Sequence, residues 1–264
     1  MAGLVVMAVS AAAGFAAVGW TPGTKGELPA QSDSTTQAKP PVRAAPGPDS
    51  SRLTQSPTPS NSPSAPPGAS SSASRNTIPA TGPGTFTTAS GGSAKVGKGA
   101  ALRYRVDVEE GISLSTADVA KEVERILADP RGWTADGQSG FQRVSGGATD
   151  FVVRVATAGT VDAICGQYGL NTRGEVNCNV GKNVMVNLKR WELATPVYAK
   201  DVAGYRALII NHEVGHFLGH GHVGCPGKGK PAPAMMQQIK GMNGCVPNVW
   251  PYDEEGRLIT GSAV

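Results

Sequence analysis

All four histidines of the chain fall within one stretch of eleven residues, HEVGHFLGHGH. His212 and His216 are four residues apart, so on a helix both imidazoles project from one face and can bind a single metal ion. Glu213 lies beside the first of them, where its carboxylate can take a proton from a water molecule at the metal. Gly219 can adopt a positive φ angle and turn the chain, which returns His222 as a third ligand. The spacing therefore predicts a zinc site with three histidine ligands and an open fourth position, as catalytic zinc requires.

His220, the remaining histidine, leaves an alternative for the third ligand. If the helix continued past its predicted end, this ring would fall on the same face as the two earlier histidines. Gly219 and Gly221 flank it and argue against such a continuation. We expect His222 to be the third ligand and His220 to lie at the rim of the site.

The spacing HExxHxxGxxH resembles the motif of the metzincin clan of zinc endopeptidases. The matching positions are His212, Glu213, His216, Gly219 and His222. Metzincins also place a methionine turn beneath the metal, and the segment PAPAMMQQ offers Met235 and Met236 for it. We assign the turn to Met235, because the Ala-Pro before it is typical of a turn; the alternative is that both methionines are ordinary core residues.

A longer run, CPGKGKPAPAMMQQIKGMNGC followed by PNVWP, resembles a bacterial family of exported domains that carry the same motif. The resemblance extends over most of residues 96–264. It implies a zincin-like α+β fold and a Zn2+ cofactor. The metzincin resemblance implies an extended peptide substrate along a sheet edge, for which we expect the segment 175–180.

Composition divides the chain into three parts. Residues 1–20 contain no charged side chain and are long enough to cross a bilayer, which predicts a membrane anchor. A cleaved signal peptide is the alternative, although a basic start and a clear cleavage site are absent. Residues 21–95 hold thirteen of the twenty prolines and few large apolar residues, which predicts a disordered linker rich in Pro, Ser and Thr. Residues 96–264 alternate apolar and polar residues in the ordinary way, which predicts one folded domain.

Charge gives no support to nucleic-acid binding. The formal net charge is +4, but from Val96 onward 18 Lys and Arg residues stand against 17 Asp and Glu residues. Aromatic residues make up 5% of the chain, and no basic stripe interleaved with aromatics occurs. We expect no nucleic-acid partner, and contact with a membrane through the N-terminal segment only.

The four cysteines are an even number in a chain with an export signal, which predicts two disulfides. We expect Cys165 to pair with Cys178 and Cys225 with Cys245, because closing the shorter loops costs the least entropy. A structural zinc site is the alternative, but no close C-x(2–4)-C pair is present. The predicted location is extracytoplasmic, with the protein either anchored by residues 1–20 or secreted.

The pattern around these residues predicts an α+β domain. Alternating apolar residues between Leu102 and Val108 indicate a strand, and Ser115 is a cap for a helix that ends before Pro130. A second helix should run from its cap, Asp201, to Leu218. Further strands are expected at 141–144, 151–155 and 184–188, with a turn-rich stretch around the first two cysteines. The predicted fold is a zincin-like sheet with two main helices and a loop-rich C-terminal subdomain.

These features together predict an extracytoplasmic zinc-dependent endopeptidase that acts on a protein or peptide. A zinc-dependent hydrolase of cell-wall peptides is an alternative, which the reach of the linker suits. A noncatalytic, zinc-stabilised binding module is another. The carboxylate of Glu213 argues against the module, because binding alone does not need a proton acceptor beside a ligand.

Overall fold

The computed structural model describes residues 77–264 of the chain, and in this range seven β-strands and four α-helices occur. The strands are β1 (Phe86–Thr88), β2 (Val96–Gly97), β3 (Ala100–Glu109), β4 (Ser139–Arg143), β5 (Phe151–Ala156), β6 (Cys178–Val180) and β7 (Asn183–Asn187). The α-helices are α1 (Thr116–Ala128), α2 (Ala158–Gly166), α3 (Leu188–Leu193) and α4 (Val202–Phe217). The predicted anchor or signal peptide, residues 1–20, and the linker up to residue 76 lie outside the described residues.

The strands form one mixed sheet with the order β2-β4-β3-β5-β7-β6. The four central strands, β4, β3, β5 and β7, run parallel to one another. β2 and β6 are antiparallel to the strands beside them, and β1 pairs antiparallel with the last residues of β3. β6 is therefore the edge strand at one end of the sheet order, beyond β7.

Helices cover the two faces of this sheet. Because successive residues of a strand point to opposite faces, β3 and β7 each contribute alternate side chains to one layer. The first face carries the buried residues Tyr104, Val106, Val108, Val184 and Val186, which pack with α1 and α4. Met185 points to the other face, where it packs with Val161 of α2. The largest hydrophobic cluster thus lies between the sheet and the two long helices.

Both predicted long helices begin at their predicted caps. The Ser115 side chain accepts a hydrogen bond from the Asp118 N–H at the start of α1, and α1 ends two residues before Pro130. The Asp201 carboxylate accepts from the Gly204 N–H, 2.8 Å away, at the start of α4. α4 is apolar around most of its circumference and is buried over nine residues, so it forms the centre of the domain.

Residues 77–95, which composition assigned to the linker, are part of the fold. β1 pairs with β3, and Ala89 is buried against it. The buried Glu109 carboxylate accepts hydrogen bonds from the Gly84 N–H, at 2.8 Å, and from the N-terminus of α2. Composition missed this segment because backbone pairing and a buried carboxylate attach it to the fold, with little burial of large apolar side chains.

Two short helices, α2 and α3, were not predicted. Cys165 lies in α2 and Cys178 begins β6, where a turn-rich stretch was expected. Leu188, expected at the end of a strand, begins α3 because the Asn187 side chain accepts from the Lys189 N–H and caps the helix there. Helices of six and nine residues are too short to give a clear period of 3.6 in the sequence.

The structure forms both predicted disulfides, Cys165–Cys178 and Cys225–Cys245. The first links α2 to the edge strand β6, and the second connects the segment that follows the histidines to the segment that follows Met236. Two disulfides indicate an oxidising, extracytoplasmic compartment. Across residues 77–264, no helix combines the length and the apolar composition that a bilayer crossing requires.

Candidate metal centre

Three of the four histidines converge at the C-terminal end of α4. The Nε2 atoms of His212 and His216 are 3.2 Å apart, as expected for two residues one helical turn apart. The Nε2 atom of His222 lies 3.2 Å from that of His212 and 3.0 Å from that of His216. The structure thus brings together the three residues that the sequence predicted as metal ligands.

A glycine-dependent turn returns His222 to the helix. Gly219 has a φ angle of +93°, a region that glycine enters without steric cost. The Gly219 N–H donates to the His216 carbonyl at 3.0 Å, and the His220 N–H donates to the Gly215 carbonyl at 2.9 Å. This pair of bonds is a Schellman motif, which ends the helix and reverses the chain.

Backbone carbonyls orient two of the three imidazoles. The Nδ1 atom of His212 lies 2.7 Å from the Ala234 carbonyl, and that of His216 lies 2.8 Å from the His220 carbonyl. A carbonyl oxygen only accepts hydrogen bonds, so each Nδ1 carries the proton and donates it. In the neutral rings the lone pair is then on Nε2, which faces the cluster.

This arrangement fits a zinc ion. The Nε2 lone pairs of His212 and His216 face each other at 3.2 Å and repel unless a proton or a metal cation lies between them. A tetrahedral zinc ion at about 2.0–2.1 Å from imidazole nitrogens separates those nitrogens by about 3.3–3.4 Å, close to the spacing found here. Burial, followed by the neighbouring His216, lowers the pKa of His212 to about 3, and burial also lowers the pKa values of His216 and His222. All three rings are therefore neutral at pH 7, the form that binds metal.

Glu213 lies in the same cleft as the three histidines and is only 5% exposed. Burial raises the pKa of its carboxyl group to about 8. A cation bound by the histidines would lower this pKa, because an opposite charge nearby favours the carboxylate. Glu213 is therefore placed to exchange a proton with a group bound in the cleft.

Comparison with protein families gives a match to the family described as "Protein of unknown function (DUF3152)" over residues 73–254. The chain belongs to the DUF3152 family. The match begins before residue 77, in agreement with the early start of the fold. No curated protein and no solved structure matches the chain.

The two adjacent methionines of this DUF3152 domain have different surroundings. Met235 is buried beneath α4 with its sulfur against Gly215, where a Cβ atom would overlap it. The preceding Ala234 supplies the carbonyl that orients His212, so the Met235 segment lies directly under the histidines. Met236 lines the cleft and packs against the disulfide of Cys245.

His220 lies outside the histidine cluster of the DUF3152 domain. Its ring stacks on Trp133, with ring centres 4.3 Å apart and planes 16° apart. Only its backbone carbonyl takes part in the site, through His216. Sequence reasoning missed Trp133, because it lies 78 residues before its hydrogen-bond partner Asn211 and no local pattern signals the contact.

A cleft of about 510 Å3 opens beside the histidines. One wall includes part of the predicted substrate segment, namely Val176, Asn177, Cys178 and Asn179. Met236 to Ile239 also line the cleft, and Leu208 and Ile209 of α4 contribute apolar surface. Apart from Glu213, the lining residues carry no charge at neutral pH.

Proposed function

We propose that this chain is an extracytoplasmic zinc-dependent endopeptidase. The observation that carries the proposal is the convergence of three histidine Nε2 atoms within 3.2 Å of one another, with Glu213 in the same cleft. Three nitrogen ligands leave one zinc position open, which is typical of catalytic sites, whereas structural zinc sites are closed by four protein ligands. His212, His216 and His222 would bind the metal.

A bound zinc ion supplies Lewis acidity and lowers the pKa of a water molecule to about 7. Glu213 takes the proton of the attacking water and passes it to the nitrogen of the departing amine, which is the usual work of a carboxylate beside such a site. The burial of Glu213 excludes bulk water from this proton transfer. The Nδ1–H groups of His212 and His216 donate hydrogen bonds to backbone carbonyls, so both rings keep the same tautomer throughout.

The cleft can accept a peptide in an extended form. β6 is an edge strand, and its residues Cys178 and Asn179 line the cleft. An edge strand offers unpaired backbone groups, to which an extended peptide can bind as an added strand. The peptide would then pass beside the histidines and Glu213, which supports an endopeptidase as the activity of the site.

The likeness to the metzincin motif supports the same proposal. HExxHxxGxxH places its histidines on a helix and a following turn, and Met235 lies beneath them as a methionine turn would. We infer a zincin-like fold for residues 77–264, with a mixed sheet, a central helix that carries two ligands and a C-terminal segment rich in turns. An N-terminal anchor or signal peptide and a linker would place this domain outside the cytoplasm.

The test compares Glu213→Gln with the parent full chain. The variant keeps the three histidines, so we expect one zinc ion per chain in both proteins by elemental analysis. Cleavage of an unfolded protein and of purified cell-wall peptides should fall about a hundredfold to ten-thousandfold in the variant, because the proton acceptor is lost. Glu255→Gln, at an exposed carboxylate, is the matched control and should retain full activity.

Two outcomes would contradict the proposal. A parent chain that takes up no zinc would remove its basis. Full zinc occupancy without cleavage by the parent chain would favour the noncatalytic binding module. Equal cleavage by the parent chain and by Glu213→Gln would instead show that Glu213 is not the proton acceptor. Cleavage of cell-wall peptides alone would assign the same chemistry to a cell-wall peptide hydrolase.

A further inference from the structure

The proposed metal centre depends on a loop that has little rigidity of its own. Gly219 and Gly221 flank His220, and glycine loses more conformational freedom on ordering than other residues. Yet this loop supplies two groups to the centre: the His220 carbonyl, which orients His216, and the ring of His222. Backbone hydrogen bonds join the loop to α4 and to its neighbours, and a side-chain contact from outside the loop can restrict it further.

Trp133 makes that contact through its ring. The indole stacks on the His220 imidazole with 4.3 Å between ring centres. Among the described residues, Trp133 is the one aromatic side chain that stacks on the His220 ring. Stacked pairs of this kind contribute to stability beyond the area they bury. The stack fixes the middle of the loop, between the two glycines.

The same indole also contacts α4 beside both of the ligands on the helix. Its Nε1–H donates to the carbonyl of Asn211, the residue before His212, at 2.8 Å. Its Cζ2 atom lies close to Gly215, the residue before His216, where a Cβ atom would be 2.6 Å away. One side chain therefore contacts both the helix that carries two ligands and the loop that carries the third.

Trp133 is itself rigidly placed. It is 1% exposed and begins the 3₁₀ turn Trp133–Asp136 after α1. Tyr252 packs edge-on against the indole, with ring centres 6.2 Å apart. Through Trp133 the loop is attached to the hydrophobic core. The loop is therefore ordered by this packing as well as by the metal ligands.

We propose that Trp133 and His220 are a positioning pair, which rests on the zinc site of the proposed function. The indole holds the His220 ring, and the ring holds the loop so that the His220 carbonyl meets His216 and the His222 nitrogen faces the other two. His220 positions the centre through its stacked ring and its backbone carbonyl. Its ring nitrogens do not bind the metal.

The test measures the zinc affinity of the full chain by competition with a chromophoric chelator. His220→Ala removes the stacked ring, whereas His220→Phe keeps an aromatic face without ring nitrogens. We expect His220→Ala to weaken zinc binding roughly tenfold to a hundredfold, the range typical of residues that orient ligands. His220→Phe should stay within about threefold of the parent chain. Leu193→Ala, exposed and on α3, is a control that should not change the affinity.

Two further measurements separate positioning from a general loss of fold. Cobalt(II) can replace zinc, and its visible absorption spectrum reports the geometry of the ligands. We expect His220→Ala to alter this spectrum and His220→Phe to preserve it. Urea unfolding of the metal-free chains should show that His220→Ala is still folded, with a midpoint only slightly below that of the parent, because one stacked pair is lost at a partly exposed residue.

Equal zinc affinity in the parent and His220→Ala would overturn the positioning pair. An equal loss in His220→Ala and His220→Phe would also overturn it, because the effect would then belong to a ring nitrogen. Neither result depends on peptide cleavage. A parent chain that binds zinc but cleaves no peptide contradicts the proposed endopeptidase alone, whereas a parent chain without zinc contradicts both proposals.

Discussion

At the scale of single residues, backbone carbonyls orient two imidazole rings of the histidine cluster. His212 donates to Ala234 and His216 donates to His220, so the tautomer of each ring depends on where a loop backbone lies. A carboxylate partner would tolerate movement of its own side chain, but a backbone acceptor moves only with its loop. The geometry of the cluster is therefore as rigid as the loops around it.

His222→Ala tests the order of importance among the last two histidines. It removes one of three nitrogens, whereas His220→Ala leaves all three in place. We expect His222→Ala to lower zinc affinity by at least about a hundredfold, and by more than His220→Ala does, in the same chelator competition. The reverse order would move the third ligand to His220.

Gly215→Ala tests the close packing under α4. The new Cβ atom would overlap the Met235 sulfur and lie 2.6 Å from the Trp133 ring. Alanine favours a helix by up to about 1 kcal/mol, but overpacking a core costs about 1–3 kcal/mol, so we expect a net loss of about 1–2 kcal/mol in the free energy of unfolding. Gly166→Ala in α2, where the Cβ atom meets open space, is the control and should be neutral or stabilising in the same urea titration.

At the scale of elements, the edge strand β6 combines two features. It lines the cleft through Cys178 and Asn179, and the disulfide to Cys165 links it to α2. A strand of three residues at a sheet edge has few hydrogen bonds of its own. The disulfide therefore stabilises one wall of the cleft as well as the fold.

The double variant Cys165→Ala/Cys178→Ala tests this link. Its cysteines are 13 residues apart, and closing a loop of that size is worth about 3 kcal/mol. We expect the free energy of unfolding in urea to fall by about that amount, and the KM for a peptide to rise with zinc occupancy unchanged. An unchanged free energy of unfolding would mean that neighbouring packing alone defines β6.

At the scale of the whole molecule, the domain includes a segment that looks like linker. Arg143 donates to the carbonyls of Ala89 and Ser90, and Glu109 accepts from Gly84. These contacts give hydrogen-bond partners to the side chains of Arg143 and Glu109, which are buried in the sheet, and Glu109 also lies at the start of α2. Without the segment, part of the hydrogen bonding of two nearly buried charged residues would be lost.

A chain that begins at Val96 should consequently be less stable than one that begins at residue 73, where the family match starts. The shorter chain loses β1 and exposes the edge of β3 that β1 covers. Several buried hydrogen bonds to charged groups are lost, at about 1.5–3 kcal/mol each, so we expect the free energy of unfolding to fall by about 3 kcal/mol or more. Equal unfolding midpoints in urea would show that residues 73–95 are dispensable.

The parts of this molecule that the sequence predicts are those with local signals. His212, His216 and His222 are recognisable by spacing, and Ser115 and Asp201 by their capping chemistry. Trp133 gives no such signal, because its contacts with Asn211 and His220 are made across the fold. The edges of elements were also missed where a polar side chain decided them: Asn187 ends β7 and starts α3 within an apolar run. Long-range packing and side-chain capping account for both kinds of miss.

The neutral lining of the cleft has a kinetic consequence. Under the proposed function, the metal and Glu213 are the charged groups of the cleft, and lysine, arginine and aspartate are absent from its lining, so the walls add little long-range field to steer a charged peptide. Association should then proceed at the rates of unsteered encounters, about 10⁵–10⁶ M⁻¹s⁻¹, and change little between low and high ionic strength. Selection among peptides would fall to the shape of the cleft after encounter. The rate of capture would then depend on how many chains are present near the substrate.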